Sequence, residues 1–274
     1  MSISRLMQMG AAGAGGPTGL ESSTYDGISF DATGNQISNA EGFVFNPTGT
    51  KLLVGSAVSS QIVEFNLSSG FNLGSASYSL TRYLSSQTIT GRGLAFNDTG
   101  TNLFYVDQSA DKVDAYNISN YSVSSFNFSG TFLDASSQTT AANGVTFNPT
   151  GSKAYVCGVS NQVFVYNLSS GFALNTATYD SAFNLTDVSY ATNMKFNLDG
   201  TRFYVVDQVF NRIVEYILTT PYDLATATHN YTLAASTFGI SGTRDLFFNQ
   251  DNTKMFVLRR TSCTIFQFSF TPPD

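Results

Sequence analysis

Phe45-Asn46-Pro47-Thr48-Gly49-Thr50 is one of five near-copies of a single hexapeptide in this chain. The others are Phe96-Asn97-Asp98-Thr99-Gly100-Thr101, Phe147-Asn148-Pro149-Thr150-Gly151-Ser152, Phe196-Asn197-Leu198-Asp199-Gly200-Thr201 and Phe248-Asn249-Gln250-Asp251-Asn252-Thr253. Their asparagines are spaced 51, 51, 49 and 52 residues apart. A period near fifty residues is the mark of a solenoid or of a radial array of sheets. Asn and Asp bond to backbone groups two residues on, and Gly accepts positive φ without a Cβ clash, so each hexapeptide reads as a hairpin turn.

Working outward from the turn, each repeat holds an apolar run before it, such as Gly93 to Phe96, and a second run after it, such as Leu103 to Val106. A third run follows, such as Val113 to Tyr116, and in the first four repeats a weaker fourth, such as Ala76 to Leu80 or Ala177 to Ala182. Val, Ile, Phe and Tyr dominate these runs and all favour strands. No stretch shows capped helical periodicity. Four strands in about fifty residues make one propeller blade. A β-helix or a sandwich is the alternative; four tight hairpins per repeat oppose the first and the period opposes the second.

The fifth repeat stops after its third strand, at Thr264 to Phe270, while Ser23 to Phe30 resembles the fourth strands of other repeats. The expectation is therefore an all-β, five-bladed propeller whose last blade is completed by an N-terminal strand, which removes an open edge. The expected organisation is a Gly/Ala-rich tail or docking peptide over 1–21 and the propeller over 22–274. Ile3, Leu6, Met7 and Met9 are the candidate docking anchors, with the glycines as a hinge. The alternative is a tail with no docking role.

Composition narrows the function classes. Charged residues are only 12%, where about a quarter is usual, and the net charge is −6, which disfavours binding to nucleic acid. No apolar run approaches the length of a membrane-spanning helix. The one histidine, His229, falls in an outer strand, which excludes multi-His metal sites and His-based catalysis within one chain. No metal or cofactor is expected. Cys157 and Cys263 fall at different places in their repeats and read as packing thiols rather than a bridge.

Propeller loops before strand one and between strands two and three gather around one end of the central channel. Five residues before the marker asparagines stand Glu41, Arg92, Asn143, Thr192 and Arg244; ten after them stand Ser56, Asp107, Gly158, Asp207 and Arg259. With the neighbours Gln108, Gln208, Asp245 and Arg260, these form the candidate channel-mouth binding set. They make either a polar recognition surface or ion pairs around a water-filled channel. Paired carboxylates could cleave a glycoside, but a general acid needs a raised pKa, which neighbouring arginines oppose. No catalytic residue is assigned.

The unit FNPTGTKLLVGS…QIVEFNLSSGFNLGSASY resembles β-propeller repeats of bacterial and bacteriophage proteins with the form FNxDGTKxYV…VxEYxLSxxFxxxTASY. The likeness covers about residues 22–270. Such repeats occur in virion-associated and tail proteins of marine phages and in bacterial surface proteins. The opening MSISRLMQMGAAGAGG is similar to the short Gly/Ala-rich starts of structural proteins in such phages. The resemblance implies a non-enzymatic virion module, docked on other virion proteins through its N-terminal peptide, with a host-surface glycan or protein as a further contact. The alternative is a secreted or surface propeller that binds or cleaves carbohydrate. The departures from the pattern, Asn252 in place of the turn Gly and the Arg259-Arg260 pair, both fall in the closing blade.

Overall fold

The computed structural model describes residues 19–35, 37–58, 61–84 and 90–271. Ile3, Leu6, Met7 and Met9 lie outside the described residues. The first strand among the described residues, β1 (Thr24–Asp31), lies at the edge of the last blade. Blade one is β2 (Ala40–Phe45), β3 (Lys51–Ser56), β4 (Gln61–Leu67) and β5 (Ala76–Tyr83). Blade two is β6 (Gly91–Phe96), β7 (Asn102–Asp107), β8 (Lys112–Ser119) and β9 (Ser122–Asp134). Blade three is β10 (Ala142–Phe147), β11 (Lys153–Gly158), β12 (Gln162–Asn167) and β13 (Thr178–Asn184). Blade four is β14 (Ala191–Phe196), β15 (Arg202–Asp207), β16 (Arg212–Leu218) and β17 (Ala227–Ala234). Blade five is β18 (Thr243–Phe248), β19 (Lys254–Arg259) and β20 (Thr264–Ser269), completed by β1.

The closure matches the expectation from the sequence. β1 runs antiparallel to β20, with Thr24 opposite Ser269 and Asp31 opposite Thr264. Asp26 locks the seam: its carboxylate accepts from the Ser269 backbone N–H at 3.0 Å and from Gln267 Nε2 at 2.7 Å. The fold also reaches further toward the N-terminus than composition suggests. Gly19–Ser22 forms a short 3-10 turn, Leu20 is buried among Tyr204, Ile213 and Phe268, and the Gly19 N–H donates to Thr271 O. Residues 19–21, assigned to the tail by composition, pack as part of the propeller.

Five apolar clusters hold the ring together, one at each junction between blades. Phe43 and Phe65 of blade one meet Phe256 and Ile265 of blade five. Leu53 and Ile62 meet Leu103 and Tyr105 of blade two, whose Phe104 and Val113 meet Val156 and Phe164 of blade three. Tyr155 and Val163 continue to Met194 and Phe203 of blade four, and Tyr204 and Ile213 meet Leu246 and Phe268 of blade five. With no Trp in the chain, Phe and Tyr fill these junctions; each fully buried large apolar side chain stabilises by roughly 1.5–3 kcal/mol. Cys157 and Cys263 are free and buried in this packing.

The repeated hexapeptide explains itself in the turns. In every blade the marker asparagine Oδ1 accepts from the backbone N–H five residues on, at Lys51, Asn102, Lys153, Arg202 and Lys254, over 2.8–2.9 Å. The turn residues have positive φ: 68° at Gly49, 65° at Gly100, 65° at Gly151, 74° at Gly200 and 53° at Asn252. Glycine is demanded twice over in four blades, because an aromatic ring lies on the turn. Phe71, Tyr121, Phe172 and Tyr222 cover Gly49, Gly100, Gly151 and Gly200, and each donates its backbone N–H to that glycine's carbonyl. In blade five the outer strand is β1 rather than a segment running on from β20, and the turn position is held by Asn252, the non-Gly type that tolerates positive φ best.

This gives a first test. A Cβ on Gly100 would lie 2.5 Å from the Tyr121 ring, whereas one on Gly27, also at positive φ, meets nothing within 4 Å. Gly27→Val should lose only the backbone strain, about 1–3 kcal/mol. Gly100→Val should lose more, because the ring must also move. Chemical denaturation of both variants measures the difference; equal losses would mean that the aromatic lid yields freely.

Candidate functional site

The five innermost strands each carry one irregularity at the same place. In β2, Ala40 pairs with Ser56 and Gly42 with Gly55, which leaves Glu41 without a partner on β3. The same slip leaves Asn143, Thr192 and Arg244 unmatched in β10, β14 and β18. In β6 it spans Arg92 and Gly93. A bulge inserts one residue into a strand and re-aims its side chain. Here it turns five side chains, one per blade, toward one end of the central channel.

Their contacts form a circuit through all five blades. Arg92 of blade two meets Glu41 of blade one, Nη1 to Oε1, in an ion pair at 2.5 Å that lacks hydrogen-bond geometry. Arg92 Nη2 donates to Gln108 Oε1, and Gln108 Nε2 donates to Asn143 Oδ1 of blade three at 2.7 Å. Asn143 Nδ2 reaches Ala191 O of blade four at 2.9 Å, and the adjoining Thr192 Oγ1 donates to Arg244 O of blade five at 2.7 Å. Arg244 closes the circuit, Nε to Glu41 Oε2, while its Nη1 donates to Gln208 Oε1. Arg260 Nε adds a bond to Glu41 Oε1 at 2.6 Å.

The electrostatics of this mouth are lopsided. Three arginines share one carboxylate, a local excess of two positive charges in a chain of net −6. Burial pushes the Arg244 guanidinium below its ordinary pKa; the Glu41 charge resists this, and the like charges of Arg92 and Arg260 add to it. Arg92 Nε is buried with no acceptor among the described residues. Arg260 is the outermost of the three, with its side chain 33% exposed.

Eight candidates from the sequence therefore come together: Glu41, Arg92, Gln108, Asn143, Thr192, Gln208, Arg244 and Arg260. Four others are placed differently. Asp107 turns back on its own loop and accepts from the N–H groups of Thr90 and Ser109 and from Ser109 Oγ. Asp207 accepts from the N–H groups of Ser189, Tyr190 and Val209 and from Arg212 Nε at 3.0 Å. Arg259 bonds to Ser262 Oγ and lies over the Phe266 ring, on the blade rather than the mouth. The reason is where each strand stops: Asp107, Asp207 and Arg259 are the last residues of β7, β15 and β19, while Gln108, Gln208 and Arg260 open the turns that follow, so the neighbours' side chains leave in different directions.

Asp245 is deeper in the channel. It is fully buried, accepts from the N–H groups of Phe43 at 2.8 Å and Leu246 at 2.7 Å, and burial raises its pKa to about 6 against the opposing pull of Lys195. Around it the inner strands touch. A Cβ on Gly42 would lie 2.6 Å from Arg92 O, and one on Gly93 would lie 2.9 Å from Gly144 Cα. This belt separates the arginine mouth from the opposite, hairpin end of the channel.

Solved structures similar to this one include a named enzyme, a protein of unknown function and a β-propeller domain. Glutaminyl cyclase from Myxococcus xanthus matches with a TM-score of 0.65 at 11% identity, over 92% of this chain and 97% of that one. A protein of unknown function from Desulfotomaculum acetoxidans gives 0.54 at 12% identity, over 86% and 90%. The β-propeller domain of Cps50 (Swd1) from Myceliophteria thermophila gives 0.53 at 8% identity, over 91% and 100%. At such identities the likeness shows the fold and nothing about the site. No family model matches the chain, and no curated protein does.

Proposed function

We propose that this chain is a non-enzymatic interaction propeller of a bacteriophage particle, which presents its arginine-lined mouth to an acidic or hydrogen-bonding partner. The observation that carries the binding part is the circuit around Glu41, with two positive charges more than its carboxylate offsets. An acid-base pair for glycoside cleavage needs two carboxylates facing one bond. At this mouth Glu41 is engaged by three arginines, and Asp107 and Asp207 are engaged by backbone amides. The loop tips around the mouth add exposed apolar side chains, Val58, Val209 and Phe210, which suit contact with another macromolecule.

The virion part rests on the resemblance of the repeats and of the N-terminal peptide. Quantitative mass spectrometry of purified particles and of the cleared medium tests it. The protein should sediment with particles at a fixed copy number, and a version lacking residues 1–18 should keep its melting temperature but be lost from particles. Recovery only in the medium would remove the virion reading. Normal incorporation of the truncated chain would remove the docking role of the peptide.

A further inference from the structure

Two residues before each marker asparagine stand Val44, Ala95, Thr146, Lys195 and Phe247, five different side chains at one register position. All five border a single cavity of about 300 Å³ at the hairpin end of the channel, the end away from the arginine mouth. Phe45, Phe96 and Phe147, the residues that follow three of them, supply aromatic wall. Every blade thus contributes to one concave space, and the belt around Gly42, Gly93 and Asp245 closes it on the inside. A volume of this size is at the lower limit of small-molecule sites, about ten water volumes.

Its lining is mostly apolar and aromatic, with Asn97, Thr146, Asn148 and Gln250 as polar members, Asp98 at the rim and one cation. Lys195 is half-buried, and its Nζ donates to Leu94 O at a long 3.4 Å. An ammonium group has three donors. No carboxylate among the described residues lies within ion-pair distance of it. Asp245, part of the belt at the cavity's inner end, feels the Lys195 charge but lies beyond ion-pair distance and is held by two backbone N–H groups, and Asp98 stands exposed at the rim. A cation at the side of a mostly apolar cavity matches a ligand with one charged end and an apolar body.

We propose that this cavity is a binding site for a small organic acid, a monocarboxylate whose carboxylate meets Lys195 Nζ and whose apolar body lies against Phe247, Val44 and Ala95. The site is independent of the arginine mouth. It selects the acid over the matching alcohol, because only the acid supplies charge to the ammonium group.

Isothermal titration calorimetry of the full chain with benzoate and hexanoate, beside benzyl alcohol and hexanol, tests this. At least one acid should bind saturably and about tenfold more tightly than its alcohol. Lys195→Met should remove that preference. Thr146→Phe, at a half-buried position on the lining, should fill the cavity and abolish binding while Lys195 remains. No saturable binding of either acid at millimolar concentration would overturn the proposal, as would equal affinity for acid and alcohol. The comparison of acid with alcohol on the unaltered protein stands even if a variant fails to fold. An acid preference that survives in a folded Lys195→Met protein would also overturn it.

Discussion

Glu41→Gln should be the most damaging single substitution at the mouth, lowering stability by about 3–5 kcal/mol, the usual loss when one partner of a buried ion pair is removed. Glutamine keeps the shape and one acceptor but not the charge. Arg92, Arg244 and Arg260 would then face one another without a counter-charge, and Arg244 is nearly as buried as Glu41, its side chain 4% exposed. For a chain of this size that loss corresponds to a fall in Tm of roughly 6–20 °C. Arg260→Gln supplies the contrast. It removes one of the three like charges, at the most exposed of the three positions, and should cost less than about 1 kcal/mol. Thermal melts of the two variants at low and high salt decide the matter. If both lose the same small amount, solvent already screens the mouth and the excess charge is not felt.

Removing residues 1–33 should have a still larger effect, because it takes away β1 and the turn that precedes it. β20 would become an edge of unpaired N–H and C=O groups, which invites pairing with other copies. Tyr25 and Phe30 would leave their places against Phe268 and Phe65, and the Asp26 bonds to Gln267 and Ser269 would be lost. The shortened chain should elute as aggregate in size-exclusion chromatography with light scattering, while the chain lacking only 1–18 should remain as compact as the intact one. A soluble, monomeric chain without residues 1–33 would show that four full blades and a three-stranded fifth suffice.

The architecture was legible because each element that builds it repeats. The hexapeptide names its own hairpin, and the short fifth repeat asks for the strand that Thr24 to Phe30 supplies. The positive-φ turns followed from Gly and Asn, yet the reason that Gly100 resists substitution lies 21 residues away in Tyr121, which no local reading connects to it. The mouth was half legible. Counting back five residues found Glu41, Arg92, Asn143, Thr192 and Arg244, but a count cannot tell Asp107 from Gln108 or Arg259 from Arg260, since the first of each pair ends a strand and the second opens a turn. The bulge that turns the ring residues inward leaves no letter common to all five blades, although Gly42, Gly93 and Gly144 follow the ring residue in three. The hairpin-end cavity left no trace for the same reason: Val44, Ala95, Thr146, Lys195 and Phe247 share a place and no chemistry.

The seam between β1 and β20 also sets a schedule. Thr24 and Ser269 are 245 residues apart, so a ribosome adding about 5–20 residues per second must work for roughly 12–50 s after making β1 before its partner exists. Blades one to four can assemble in order as they emerge, each on the one before, while β1 waits unpaired beside them. The ring can close only once β20 has been made, when it meets a strand synthesised long before it.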